Sequence, residues 1–195
     1  MPATLTTRRF SVEEYHRMAE AGVFHPAERV ELIEGEVVRM AAIGSRHADC
    51  VDRLTRLLVR GVGDAGTVRV RNPVRLDDHS EPEPDIAVVR LRPGGYADRH
   101  PEPADTLLII EVADATLALD REVKVPLHAR AGVPECWIVN LQEDQIHVFR
   151  TPRDHAFAHI ERHHRGQVIR PLAFPELRLA VDEILPPRSE PSDSH

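Results

Sequence analysis

Asp85 directly after Pro84, Glu111 at the end of an apolar run, and Lys124 beyond it are residue types that can hydrolyse a phosphodiester. Two carboxylates at the ends of neighbouring strands can hold a hard divalent cation through oxygen ligands, and an ammonium nearby can steady an attacking water or a phosphate oxygen. The chain between Asp85 and Glu111 is long enough for one strand to turn back and a second to pair beside it, so the carboxylates can converge. Spacing alone leaves a second reading open: Asp85 caps a strand start, Glu111 pairs with an arginine, and Lys124 is a solvated helical lysine.

The elements that must position these groups follow from periodicity. Ser11-Val12-Glu13-Glu14 is a capping-box pattern that opens a short helix ending near Gly22. Val30 to Ile33 and Glu36 to Met40 flank Glu34-Gly35 as a hairpin. Val51, Leu54, Leu57 and Leu58 recur at helical spacing between Ser45 and Arg60. Thr67 to Asn72 and Asp85 to Val89 read as strands, and Leu107 to Val112 as a strand buried on both faces. A helix is expected from Leu119 to Ala131, with Pro126 kinking it or moving its start to that point. Cys136 to Asn140 and Gln145 to Arg150 alternate as strands, and Ala156 to Ile160 with Gln167 to Arg170 suggest a further hairpin through Arg165-Gly166. This order predicts an α/β fold with a mixed sheet flanked by helices.

The 195 residues, 42% of them hydrophobic, suit one domain over 1–185, with a disordered tail expected over 186–195. The net charge of −7 argues against a broad electrostatic footprint for nucleic acid, although a bound cation reverses the local sign at a carboxylate site. Two cysteines without paired spacing fit a reduced, cytoplasmic chain. Arg8-Arg9 is followed at once by Glu13, Glu14, His16 and Arg17, which rules out an export signal, and no stretch is apolar enough for a membrane span.

Several motifs in order carry a resemblance. Glu31-Leu32-Ile33-Glu34-Gly35-Glu36, His47, Pro84-Asp85, Glu111-Val112, Asp120 with Lys124, and Gly132 to Val139 are together similar to the Uma-two family of restriction-endonuclease-like proteins, over roughly residues 10 to 150. That family is placed in the PD-(D/E)xK nuclease superfamily. The resemblance implies a restriction-endonuclease-like fold, Mg²⁺ (with Mn²⁺ as substitute) held by Asp85, Glu111 and the Val112 backbone carbonyl, and nucleic acid, DNA in the first instance, as partner. It also implies a lysine supplied by the following helix at Lys124, since Ala113 stands where the superfamily has lysine. Glu31 is the candidate additional acid, and His47 a group that contacts phosphate, orders Glu31 or simply begins its helix. This chain departs from the family at Asp114 (usually serine), His128 and Cys136 (tyrosine) and Asn140 (aspartate). His128 can face the site or replace a packing aromatic, and Asp120 can be an ordinary i, i+4 partner of Lys124.

The expected function is a divalent-metal-dependent endonuclease acting as a homodimer. The alternative is a catalytically silent nuclease-fold module for binding or assembly. A third reading rests on His155, His159, His163 and His164. On a helix they could take a transition metal, but Ala156, Ala158 and Ile160 alternate as in a strand, which would spread three of them over roughly 26 Å.

Overall fold

A strand buried along its whole length needs cover on both faces, and the apolar run from Leu107 to Val112 receives it. The computed structural model describes residues 7–188. In chain order its elements are α1 (Val12–Glu20), β1 (Val30–Ile33), β2 (Glu36–Arg39), α2 (Ser45–Val62), β3 (Thr67–Val70), β4 (Ile86–Val89), β5 (Thr106–Ala113) and α3 (Leu117–Leu119). A π-helical turn (Asp120–Lys124) follows, then α4 (Val125–Ala131), β6 (Glu135–Asn140), β7 (Gln145–Arg153), β8 (Ala156–His164), β9 (Val168–Ile169), β10 (Leu179–Ala180) and α5 (Val181–Ile184).

Strands β3 to β8 lie side by side in sequence order in one sheet. β5 and β6 run parallel, whereas the other neighbours are antiparallel. A parallel pair requires a crossover, and residues 117–131 supply it as a helix across the sheet. Side chains alternate between the faces. Ile86, Val88, Leu108, Ile110, Val112 and Trp137 pack with Cys50, Val51, Leu54 and Leu58 of α2. Ala87, Val89, Ile109, Ala113 and Ile138 pack with Val125, Leu127 and Ala129 of α4. By the same alternation Glu111 falls on the face beneath the crossover helix. The result is the expected mixed sheet flanked by helices, with antiparallel hairpins added.

Local chemistry explains several boundaries. The Ser11 hydroxyl accepts from Glu14 N–H at 3.2 Å and Ser11 N–H donates to the Glu14 carboxylate at 3.1 Å, completing the capping box of α1. The β1–β2 turn places Glu34 and Gly35 at φ 50° and 81°. A side chain at Gly35 would also strike Arg9, its Cβ falling 2.5 Å from the Arg9 Cβ.

Three expectations need correction or limits. Residues 156–160 and 167–170 do not form a hairpin with each other. Asp154 and His155 both adopt positive φ, the geometry of a tight two-residue turn, so β8 folds straight back on β7 and continues to His164. β9 pairs instead with β10 in a separate two-stranded sheet. Nor does the helix begin at Pro126. The turn before it widens, with Val125 N–H donating to the Asp120 carbonyl, and this looser winding accommodates a ring that lacks an N–H and crowds the carbonyl four residues back. Finally, within the segment expected to be disordered, Pro186 is buried and its carbonyl accepts from Arg165 at 2.6 Å, while 189–195 lie outside the described residues. His155, His159 and His163 run along the β7–β8 hairpin, and among the described residues they form no three-ligand cluster.

Candidate active site

The β4–β5 register sets Ile86 opposite Ile110, so one step further Asp85 stands across from Glu111. Asp85 is fixed on both oxygens: Oδ2 accepts from Val112 N–H at 2.9 Å, and Oδ1 lies 2.8 Å from His47 Nε2. His47 comes from the first turns of α2. On the other side of the cavity, β1 delivers Glu31, whose Oε2 accepts from Glu83 N–H at 3.0 Å. The remaining Glu31 oxygen lies 3.0 Å from Lys124 Nζ.

Lys124 is 4% exposed and is no solvated surface lysine. Its ammonium also lies 3.4 Å from Glu111 Oε1 and 4.0 Å from Asp120 Oδ1. Glu111 has Lys124 and His128 beside it, with no arginine, and its Oε1 is buried without a hydrogen-bond partner. A cavity of about 190 Å³ opens onto Glu31, His47, Asp85, Glu111, Asp120 and Lys124. All five residues expected to be catalytic therefore meet in one place. Val112 also lines this cavity. Its N–H points to Asp85, and in a strand the N–H and C=O of one residue face the same edge, so its carbonyl turns toward the same side.

The crossover helix carries more of the site than its spacing announces. Asp120 is no surface ion-pair partner but a buried acid, its Oδ2 accepting from the Thr116 hydroxyl at 2.6 Å. Thr116, Asp120, Lys124 and His128 fall at every fourth position, a polar ladder amid Leu117, Val123, Val125 and Leu127 that marks a buried polar face. His128 is fully buried, with Nε2 3.6 Å from Glu111 Oε1, so it packs and faces the site at once. Of the other family departures, Asp114 lines the cavity, while Asn140 caps the turn after β6 by accepting from Gln142 and Glu143 N–H. Cys136 packs in the core with Ile138 and Phe149.

Burial shapes the protonation states. It pushes Glu111 up to about 8, against the pull of Lys124 and with help from the negative charge of Asp85 and Glu31. Asp120 rises to about 7 for the same reason, with Glu111 adding and Lys124 opposing. Burial works against the charged form of Lys124, but Glu111, Glu31 and Asp120 outweigh it and hold the ammonium above its ordinary range. Burial and Lys124 depress His128 to about 3, which keeps the imidazole neutral.

A carboxyl that ionises later folded than unfolded stabilises the fold below its unfolded pKa and loses that contribution as pH rises through the folded value. In metal-free protein, stability should therefore fall from about pH 3.8, where the unfolded Asp120 begins to ionise, to about pH 8, where folded Glu111 does. Urea denaturation in chelator at several pH values checks this: Glu111→Gln should show a shallower decline. An identical pH slope in the variant would contradict a proton held on Glu111.

The Uma2 family model, described as "Putative restriction endonuclease", matches residues 12–182. Among solved structures the chain is similar to the crystal structure of a putative nuclease belonging to DUF820 from Anabaena variabilis, at 15% identity over 90% of this chain and 97% of that one, with a TM-score of 0.71. At that identity the likeness shows a shared fold. No curated protein matches the chain. With a family model spanning the two-faced sheet, the crossover helix and every residue of the acidic cavity, the chain belongs to the Uma2 restriction-endonuclease family.

Proposed function

We propose that this protein is a divalent-metal-dependent nuclease that hydrolyses phosphodiester bonds, with DNA as the favoured substrate. The observation that carries this reading is the meeting of Glu31, Glu111 and Asp120 around one buried ammonium, with Asp85 lining the same cavity and a Glu111 oxygen left unpartnered. Four carboxyl groups share the cavity with one lysine, the raised proton affinities of Glu111 and Asp120 balance what that ammonium does not, and an all-oxygen donor set suits a hard cation that would displace those protons. The residues thus fit Mg²⁺, or Mn²⁺ in its place, held by Asp85, Glu111 and the Val112 carbonyl. Such an ion lowers the pKa of a bound water and neutralises charge on a phosphate.

The remaining work belongs to the chain. His47 and Val112 N–H fix both Asp85 oxygens, so that carboxylate is oriented before anything binds. Glu31, anchored by Glu83 N–H, holds the Lys124 ammonium over the cavity, where it can orient the attacking water or stabilise the charge that develops on the phosphate. The acidic surface balance is consistent with a site whose negative charge is reversed only when a cation is present. One domain with one such cavity meets a duplex on a single strand, so a two-fold pair of chains belongs to the same reading. Light scattering that returns a monomer at all working concentrations would remove that part.

In calorimetric titration with Mn²⁺, the main binding event should disappear in both Asp85→Asn and Glu111→Gln; unchanged binding in both would eliminate the site. Cleavage of single- and double-stranded DNA and RNA with Mg²⁺ or Mn²⁺ then tests turnover. Intact metal binding without cleavage of any of them would favour a silent binding or assembly module.

Lys124→Ala should leave Mn²⁺ affinity nearly intact, or raise it slightly by removing a like charge. Its single-turnover rate at saturating Mg²⁺ should nevertheless fall roughly 10²-fold, the scale of losing one preorganised electrostatic group. Lys124→Met, which keeps the stem volume, controls for the cavity left behind. Rates equal to wild type in variants with native circular dichroism would show that the ammonium takes no part in the reaction.

A further inference from the structure

We propose that His16, Glu81 and His100 form a second metal site, suited to Zn²⁺ or a similar transition-metal ion, that pins α1 and the loop ahead of β5 to the segment carrying Asp85. One ligand atom from each residue lies within 4.8 Å of the other two. His16 Nε2 is 2.6 Å from Glu81 Oε1, and the His16 and His100 rings meet edge-on at 76° with centroids 6.2 Å apart. The three come from α1, from the segment joining β3 to β4, and from the loop between β4 and β5, so nothing in their sequence spacing announces them.

Two independent observations point to a ligand. Glu81 is 3% exposed, held in place by its own N–H donating to the Leu32 carbonyl at 2.8 Å, yet its Oε2 is buried with no hydrogen-bond partner. His100 Nδ1 is likewise buried and unpartnered. A plain histidine–glutamate ion pair accounts for His16 and Oε1 and leaves the other two atoms unsatisfied, at a cost that buried polar groups in folded proteins rarely carry. One cation among the three residues would give each of them a partner.

The donor set selects the ion. Two imidazole nitrogens and a carboxylate favour zinc and its neighbours over Mg²⁺, and three protein ligands leave a fourth position for water. That position has room, because the cluster borders a cleft of about 350 Å³ that also touches Tyr96 and Asp98. Zn–N and Zn–O bonds of about 2.0–2.1 Å place tetrahedral ligands roughly 3.4 Å apart, so the cluster must tighten on binding. His16, with 44% of its side chain exposed, is free to make that adjustment.

The site's place in the chain gives it a consequence. Glu81 lies two residues before Glu83, whose N–H holds Glu31, and shortly before Asp85. An ion on Glu81 would stiffen the segment that sets both acids, without touching the all-oxygen cavity. The proposal is therefore separate from the nuclease reading and can fail without it.

Chelator-treated full-length protein titrated with Co²⁺, a spectroscopic stand-in for Zn²⁺, provides the test. Wild type and Asp85→Asn should both develop the intense visible absorption of a low-coordinate, imidazole-bound Co²⁺, reversed by added Zn²⁺. His16→Gln and His100→Gln should each weaken that binding at least about 100-fold, since losing even an outer partner of a ligand costs 10–100-fold. The rise in thermal midpoint on adding Zn²⁺ should vanish in both. Glu81→Gln should behave likewise; if it fails to fold, the two histidine variants, on partly exposed rings, decide. Absent absorption in wild type, unchanged binding in both histidine variants, or absorption lost only in Asp85→Asn would each overturn the site.

Discussion

An ammonium buried among three carboxylates is the interaction on which the rest of this structure depends. Lys124 reaches Glu31, Glu111 and Asp120 from a single position, and each of those acids comes from a different element. Any one of the acids buried alone would be forced neutral or would unfold its surroundings. Together they share one positive charge and, for Glu111 and Asp120, a raised affinity for protons. This arrangement gathers buried acids with raised proton affinity at the cost of local stability, a pattern that perturbed groups in functional clefts share.

The fold makes the arrangement possible through two features of the sheet. The antiparallel β4–β5 pair puts Asp85 and Glu111 opposite one another, and the parallel β5–β6 pair obliges a helix to cross the same face. A crossover helix passing above a strand end can drop a long side chain onto an acid, which is how a lysine beyond β5 arrives where Ala113 offers none. The π-helical turn over Asp120–Lys124 is part of this geometry, because it brings both Asp120 and Lys124 to the buried side just ahead of Pro126. The opposite face of the sheet is packed by the apolar side chains of α2 and gives the acidic face something rigid to stand on.

The two clusters of potential ligands differ in kind. The cavity around Glu111 offers oxygen donors and an ammonium, whereas His16, Glu81 and His100 offer two imidazoles and one carboxylate. They are joined by the segment 81–85, in which Glu81 serves one cluster, Glu83 supports Glu31 through its backbone, and Asp85 serves the other.

Much of this was legible in the residues alone. Alternation and helical periodicity located the elements of the six-stranded sheet, α2 and the crossover helix, because burial on one or both faces imposes those patterns. An acid closing the apolar run at Glu111, and Pro84-Asp85 before a strand, stand out as charge at the edge of a core that requires a partner, and the family resemblance singles them out from the alternative of ordinary structural pairing. Weaker local signals mislead: Arg165-Gly166 suggests a hairpin turn, whereas Asp154 and His155, both at positive φ, make the hairpin. Pro126 suggests a kink or a later helix start, and a widened turn ahead of it keeps the helix running through. What only the tertiary structure decided were the contacts between residues far apart in the chain. Asp120 became a buried acid because the crossover helix lies over β5, and His16, Glu81 and His100 came together because three loosely patterned segments pack at one corner. Such meetings leave no period in a sequence, for they depend on how elements cross and not on the composition of any one of them.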